Sequence, residues 1–119
     1  MTLLHAERLK NVSDLLIELI VEIGKDYDVI VVCGHRGKEE QNAAYNRGLS
    51  EVKWPNSHHN SLPSLAIDVA PIDIKTNKII WDNKQCWELR KLIEKKAKEL
   101  NIELKAAITW DFLHIALKH

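Results

Sequence analysis

Early in the chain, apolar residues recur at three- and four-residue steps: Val12, Leu15, Leu16, Leu19, Ile20 and Ile23. That spacing lines one face of an α-helix, predicted from about Leu3 to Gly24, where the glycine is a natural stop. Tyr27 to Cys33 is short and β-branched, the pattern of a buried strand. Gly34-His35-Arg36-Gly37 breaks it, and Lys38 to Arg47 resumes as a short helix closed by Gly48. Residues 49–64 are polar, hold two prolines and show no period, so they read as a long loop of the kind that usually carries function. Leu65 to Ile72 is a second strand, and after a turn at 73–78 Ile79 to Trp81 pairs back on it as a hairpin. Asp82 or Asn83 caps a helix running to about Leu100, with Cys86, Leu89, Leu92, Ile93, Ala97 and Leu100 facing inward. Lys91, Glu94, Lys95 and Lys98 form its solvated face. Ile102 to Ile108 and Phe112 to Leu117 are the closing strands. The order predicts an α+β fold in which helices pack on one side of a small, largely antiparallel sheet.

The length, 119 residues, suits a single domain spanning 1–119 with a core of its own. Lysine and arginine balance aspartate and glutamate, 17 against 17, so no bulk attraction to nucleic acid or an anionic surface is expected. No apolar run approaches the length of a membrane span. The segment Met1 to Lys10 has no apolar signal-peptide core, so the expectation is cytoplasmic synthesis. The two cysteines, Cys33 and Cys86, match no zinc spacing and read as reduced core residues.

Chemistry concentrates in two apolar runs that each hold a polar residue. Within Leu65 to Ala70, strand alternation puts Ala66, Asp68 and Ala70 on one face and Leu65, Ile67 and Val69 on the other. An ionised carboxylate on a buried strand costs several kcal/mol, so Asp68 needs a cation or a dense set of donors. The flanking alanines leave room for one. His59 closes the polar loop just before this strand, and His114 sits in the final apolar run with Ala116 two positions on. His59, Asp68 and His114 together are what a three-ligand zinc site with one open position requires.

These residues also fall in the order of a known group. Gly34-His35-Arg36, Gln41, Ser57-His58-His59, Ala66-Ile67-Asp68-Val69-Ala70-Pro71 and Asp111-Phe112-Leu113-His114 follow one another at compatible spacing. In this the chain resembles the zinc peptidases of the VanY-like D-alanyl-D-alanine carboxypeptidase and L-alanyl-D-glutamate endopeptidase group, which share the hedgehog/DD-peptidase fold and include phage endolysins. The resemblance runs from about Val29 to Leu117. It implies that zinc is held by His59, Asp68 and His114, with His58 the rival to His59. It implies that Asp111 is the general base and that Arg36 steadies the substrate carbonyl as negative charge develops. Ser57 then binds substrate and Gln41 supports the site. Where members often end His-Phe-Glu-Leu, this chain has His114-Ile115-Ala116-Leu117.

The function the resemblance implies is cleavage of the peptidoglycan stem peptide at the L-alanyl-D-glutamate bond, by a monomer that reaches the wall after release from the cell. The alternatives are a D-alanyl-D-alanine carboxypeptidase or dipeptidase on the same scaffold, and a non-catalytic zinc- or wall-binding module.

Overall fold

The structure is a computed structural model, and it describes residues 2–106 and 113–118, apart from the side chain of His58. Strand β1 (Leu3–Leu4) leads through a 3-10 turn at Ala6–Leu9 to helix α1 (Asp14–Asp26). Strand β2 (Val29–Cys33), helix α2 (Lys38–Asn46) and a 3-10 turn at His58–Asn60 follow. Strand β3 (Ala66–Asp73) and β4 (Lys78–Ile79) form a hairpin, and helix α3 (Asn83–Glu99) precedes β5 (His114–Ala116).

The sheet is organised around β3. It pairs antiparallel with β2 along one edge, and along the other edge with β5 at its start and β4 at its end. Among the described strands, β1 alone runs parallel to its neighbour, β2. One face of the sheet is apolar and carries the core. Val29, Val31, Ile67, Val69, Ile115 and Leu117 pack there with Leu16, Leu19, Ile20 and Ile23 of α1 and Leu89, Ile93 and Ala97 of α3. Each of these valine, leucine and isoleucine side chains contributes roughly 1.5–3 kcal/mol on leaving water, enough to fix which face of every strand turns inward.

The helical stretch predicted to begin near Leu3 starts only at Asp14 and continues past Gly24 to Asp26. The step pattern ran together two segments that the backbone separates. Leu3 and Leu4 pair with Val29 and Ile30, and Asn11 takes a left-handed φ of 63° that no helix continues through. Gly48 does end α2, at φ 75°, a value glycine adopts without strain. Asp82 caps α3 by accepting from the Gln85 amide. The strand expected over Ile102 to Ile108 reduces, among the described residues, to one bridge between Leu104 and Leu117; its last two positions lie outside them. Trp81 does not join the hairpin and is largely exposed.

One α3 residue departs from the amphipathic pattern. Arg90 is fully buried and reaches from α3 to the β5 edge, donating to the carbonyls of Lys105 and His114 at 3.0 and 3.4 Å. Glu94, expected to be merely solvated, lies 3.2 Å from its guanidinium. The charge is compensated rather than stranded, and it anchors the short strand that carries His114.

Candidate metal centre

The site lies on the face of the sheet opposite the main core, where three strands present a row of polar side chains. Asp68 of β3 stands directly across from His114 of β5. On its other side it stands across from Cys33 of β2. The second pairing depends on an irregularity. Val31 opposes Val69, but the next β3 residue, Asp68, opposes Cys33 rather than Val32. This β-bulge inserts one residue into β2, and the strand's parity switches. Arg8 supports it by donating to the carbonyls of Val31 and Val32 at 3.1 and 3.2 Å. Cys33, expected as a core residue, therefore faces the site; Cys86 is buried in α3 with its thiol on the Ile80 carbonyl, as expected of a core cysteine.

His59 enters from above the row. Ser57 accepts from the His59 amide at 3.2 Å, and Asn60 accepts from the Ser57 amide at 3.0 Å, a reciprocal cap that fixes the 3-10 turn. The hydroxyl of Ser57, expected to meet substrate, is thus engaged with the turn. The imidazole of His59 is almost fully buried, with Nδ1 2.7 Å from the carbonyl of Gly34. A hydrogen bond from Nδ1 to that carbonyl turns Nε2 toward the site. Gly34 can take this position because it has no side chain: a Cβ there would lie 2.1 Å from the Arg8 carbonyl oxygen.

Asp68 is the hub. Its Oδ1 lies 2.8 Å from Nδ1 of His114, and its Oδ2 lies 3.3 Å from Nε2 of His59 and 3.6 Å from an Arg36 nitrogen. The two imidazole rings meet edge to face at 5.1 Å. Burial alone would raise the pKa of Asp68. Hydrogen bonds from His114 and His59, together with their charge, outweigh it and hold the carboxyl far below its usual range. Burial likewise pushes His59 down, but the bonds to Asp68 and Cys33 win and lift it to about 9. In the metal-free chain, a proton on His59 thus does part of what a bound cation would do for the carboxylate.

Arg36 is held from several directions. It donates from Nε to the Cys33 sulfur at 3.2 Å and from Nη1 to Gln41 Oε1 at 3.2 Å, while its amide donates to the His59 carbonyl. Gln41 is fully buried and uses its whole amide. Its nitrogen donates to Ser50 Oγ and the Val52 carbonyl, both at 2.8 Å, and its oxygen accepts from Arg36 and Asn60. Asn60, which sequence reasoning passed over, ties the His59 turn to Arg36 and Gln41 in this way.

Of the residues expected at the site, Arg36, Gln41, Ser57, His59, Asp68 and His114 are brought together. Asp111 and the side chain of His58 lie outside the described residues. Among the described residues one group of potential metal donors stands out: Cys33, His59 and Asp68, with one donor atom of each within 4.8 Å of the others. His114 is not in that group and meets Asp68 on its other oxygen. Nitrogen, oxygen and sulfur donors gathered around the partly buried Asp68 carboxylate fit a borderline-soft divalent ion.

The model of the phage L-alanyl-D-glutamate peptidase family matches residues 3–113. Among solved structures, the L-Ala D-Glu endopeptidase ChiX of Serratia marcescens superposes with a TM-score of 0.77 at 21% identity, covering 94% of this chain and 84% of that one. No curated protein matches the chain. A family match over nearly the whole length, on a fold shared with ChiX, places the conclusion beyond fold likeness: the chain belongs to the phage L-alanyl-D-glutamate peptidase family, whose members are peptidoglycan-hydrolysing enzymes.

Proposed function

We propose that the chain is a zinc-dependent endopeptidase cutting the L-alanyl-D-glutamate bond of the peptidoglycan stem peptide. The observation that carries this reading is the surrounding of Asp68: one mid-sheet carboxylate contacted by two imidazoles and a guanidinium at 2.8–3.6 Å. His59, Asp68 and His114 would hold the ion. When bound, zinc supplies Lewis acidity toward the scissile carbonyl and acidifies water.

The remaining work falls to the chain's own residues. Arg36, already fixed by Gln41, binds the carbonyl oxygen of the L-alanyl unit as it gains negative charge. Asp111 takes the proton from the attacking water and delivers it to the departing amine of D-glutamate. The carbon–nitrogen bond breaks, leaving a new carboxylate on alanine and a free amine on glutamate. Gln41 and Asn60 keep Arg36 and His59 at a constant separation, so orientation is set before substrate arrives. We take the protein to act as a monomer, made in the cytoplasm and reaching the wall on release as an endolysin does.

Mass spectrometry of digested peptidoglycan tests the reading. Products should carry new alanine carboxyl ends and glutamate amines, and Asp111→Ala should abolish them while metal uptake is unchanged. Release of terminal D-alanine alone would show a carboxypeptidase instead. An intact digest, with wild-type protein holding its metal, would show a non-catalytic module.

A further inference from the structure

We propose that Cys33 is a sulfur donor to the metal ion of this site. The inference rests on the metal dependence proposed above but adds a ligand outside the expected set of His59, Asp68 and His114, so that water would join the ion as a fifth ligand rather than a fourth.

Three observations carry it. The bulge at Val31/Cys33 turns the cysteine out of the core and sets it opposite Asp68, on the face that holds the histidines. Its Sγ is one of the three donor atoms lying within 4.8 Å of one another, a separation small shifts convert to the spacing of atoms bound to one ion. Its sulfur already behaves as an acceptor toward the site, receiving the Arg36 Nε hydrogen at 3.2 Å. The thiol and His59 Nδ1 also lean on the same carbonyl, that of Gly34, at 3.7 and 2.7 Å. The turn that orients the imidazole therefore orients the sulfur too.

A thiolate changes what the site prefers. Added to Asp68 it balances a divalent charge in full, and it favours zinc, cobalt or cadmium over magnesium, calcium or manganese. Binding releases the thiol proton to solvent, with no change of oxidation state.

Cobalt(II) reads the assignment directly, because a cobalt–thiolate bond gives near-ultraviolet charge-transfer absorption that nitrogen and oxygen ligands do not. Chelator-stripped protein titrated with cobalt(II) should develop that band at one equivalent. Cys86→Ser should keep it, and Cys33→Ser and Cys33→Ala should lose it while retaining the weaker visible bands of bound cobalt. The Cys33→Ser protein should also lose about tenfold or more in cadmium affinity. Cobalt bound with visible bands but no thiolate band in the wild type, or a band surviving in both Cys33 variants, overturns the inference and leaves the peptidase reading standing. Failure of the wild type to take up cobalt or zinc at all overturns both.

Discussion

The two ends of β3 share a strand and a face, yet they do opposite things. At the start, Asp68 stands between Cys33 and His114 with His59 and Arg36 above it. One pleat further along the same face, Ala70 stands opposite Ile30 and packs with Ile72 in a small apolar cluster that Leu4, Ile79 and Leu113 complete. The pleat is the same at both ends, so the neighbours make the difference. At the far end regular pairing supplies isoleucines. At the near end a bulge supplies a thiol, a short strand supplies an imidazole, and a capped turn lowers a second imidazole onto the carboxylate. The apolar end contributes stability without chemistry. The polar end gathers charge that burial alone would penalise, and its partners must be present for it to be tolerated.

The largest expected effect comes from removing the hub. Asp68→Ala should abolish metal uptake and lower hydrolysis by about 10³-fold or more, read from metal content and from the rate of muropeptide cleavage. The opposite face should respond the other way. Ile67→Ala, one residue earlier and fully buried, should cost about 2–5 kcal/mol in urea unfolding while the folded protein still binds one metal ion. If the two variants behaved alike, the separation of roles between the faces would be wrong.

A milder break removes Gln41, which touches no expected ligand but holds Arg36. Gln41→Ala should reduce kcat about 10–100-fold with smaller change in metal affinity. An unchanged kcat would remove Arg36's support from the account.

The metal-free protein should also show the polar end in its pH dependence. The pKa of His59 is raised from 6.5 to about 9 on folding, so its contribution is complete below pH 6.5 and disappears as pH rises through about 9. The carboxyl of Asp68 is held below its ordinary 3.8, so its contribution is present above that pH and disappears as pH falls. Tm of chelator-stripped protein should therefore be highest between about pH 4 and 6.5 and fall toward pH 9. Zinc should reverse the alkaline trend by replacing the proton. A stripped protein whose Tm climbs from pH 7 to 9 would contradict the assignment. Smallest is Ser57→Ala, expected to cost about 1 kcal/mol through the lost cap on the His59 turn.

Much of this comparison could be read in the sequence, and the reasons are physical. Period-two alternation set Asp68 among alanines on one face, and the matching run around His114 pointed to the same arrangement. The register, Asp68 against His114, puts the two in direct contact. Cys33 was hidden because alternation carried past Val29 and Val31 assigns it to the core, and nothing in Val-Val-Cys-Gly announces an inserted residue. The true start of α1 was hidden for a related reason: Leu9 and Val12 keep the helical step although the backbone turns left-handed at Asn11 between them. Periodicity reports which side chains are apolar. It does not report where the chain changes direction. Asn60 and Arg90 were missed because each works by bonding backbone or amide groups far away in sequence.

The central claim is that the Asp68 cluster holds one divalent ion and uses it to cut peptide bonds. Stripping the protein with a chelator, then restoring zinc stepwise while following cleavage of a defined muropeptide, tests it most directly. Activity should vanish on stripping and return in full at one equivalent of zinc per chain. Full activity in protein shown to be free of metal would contradict it.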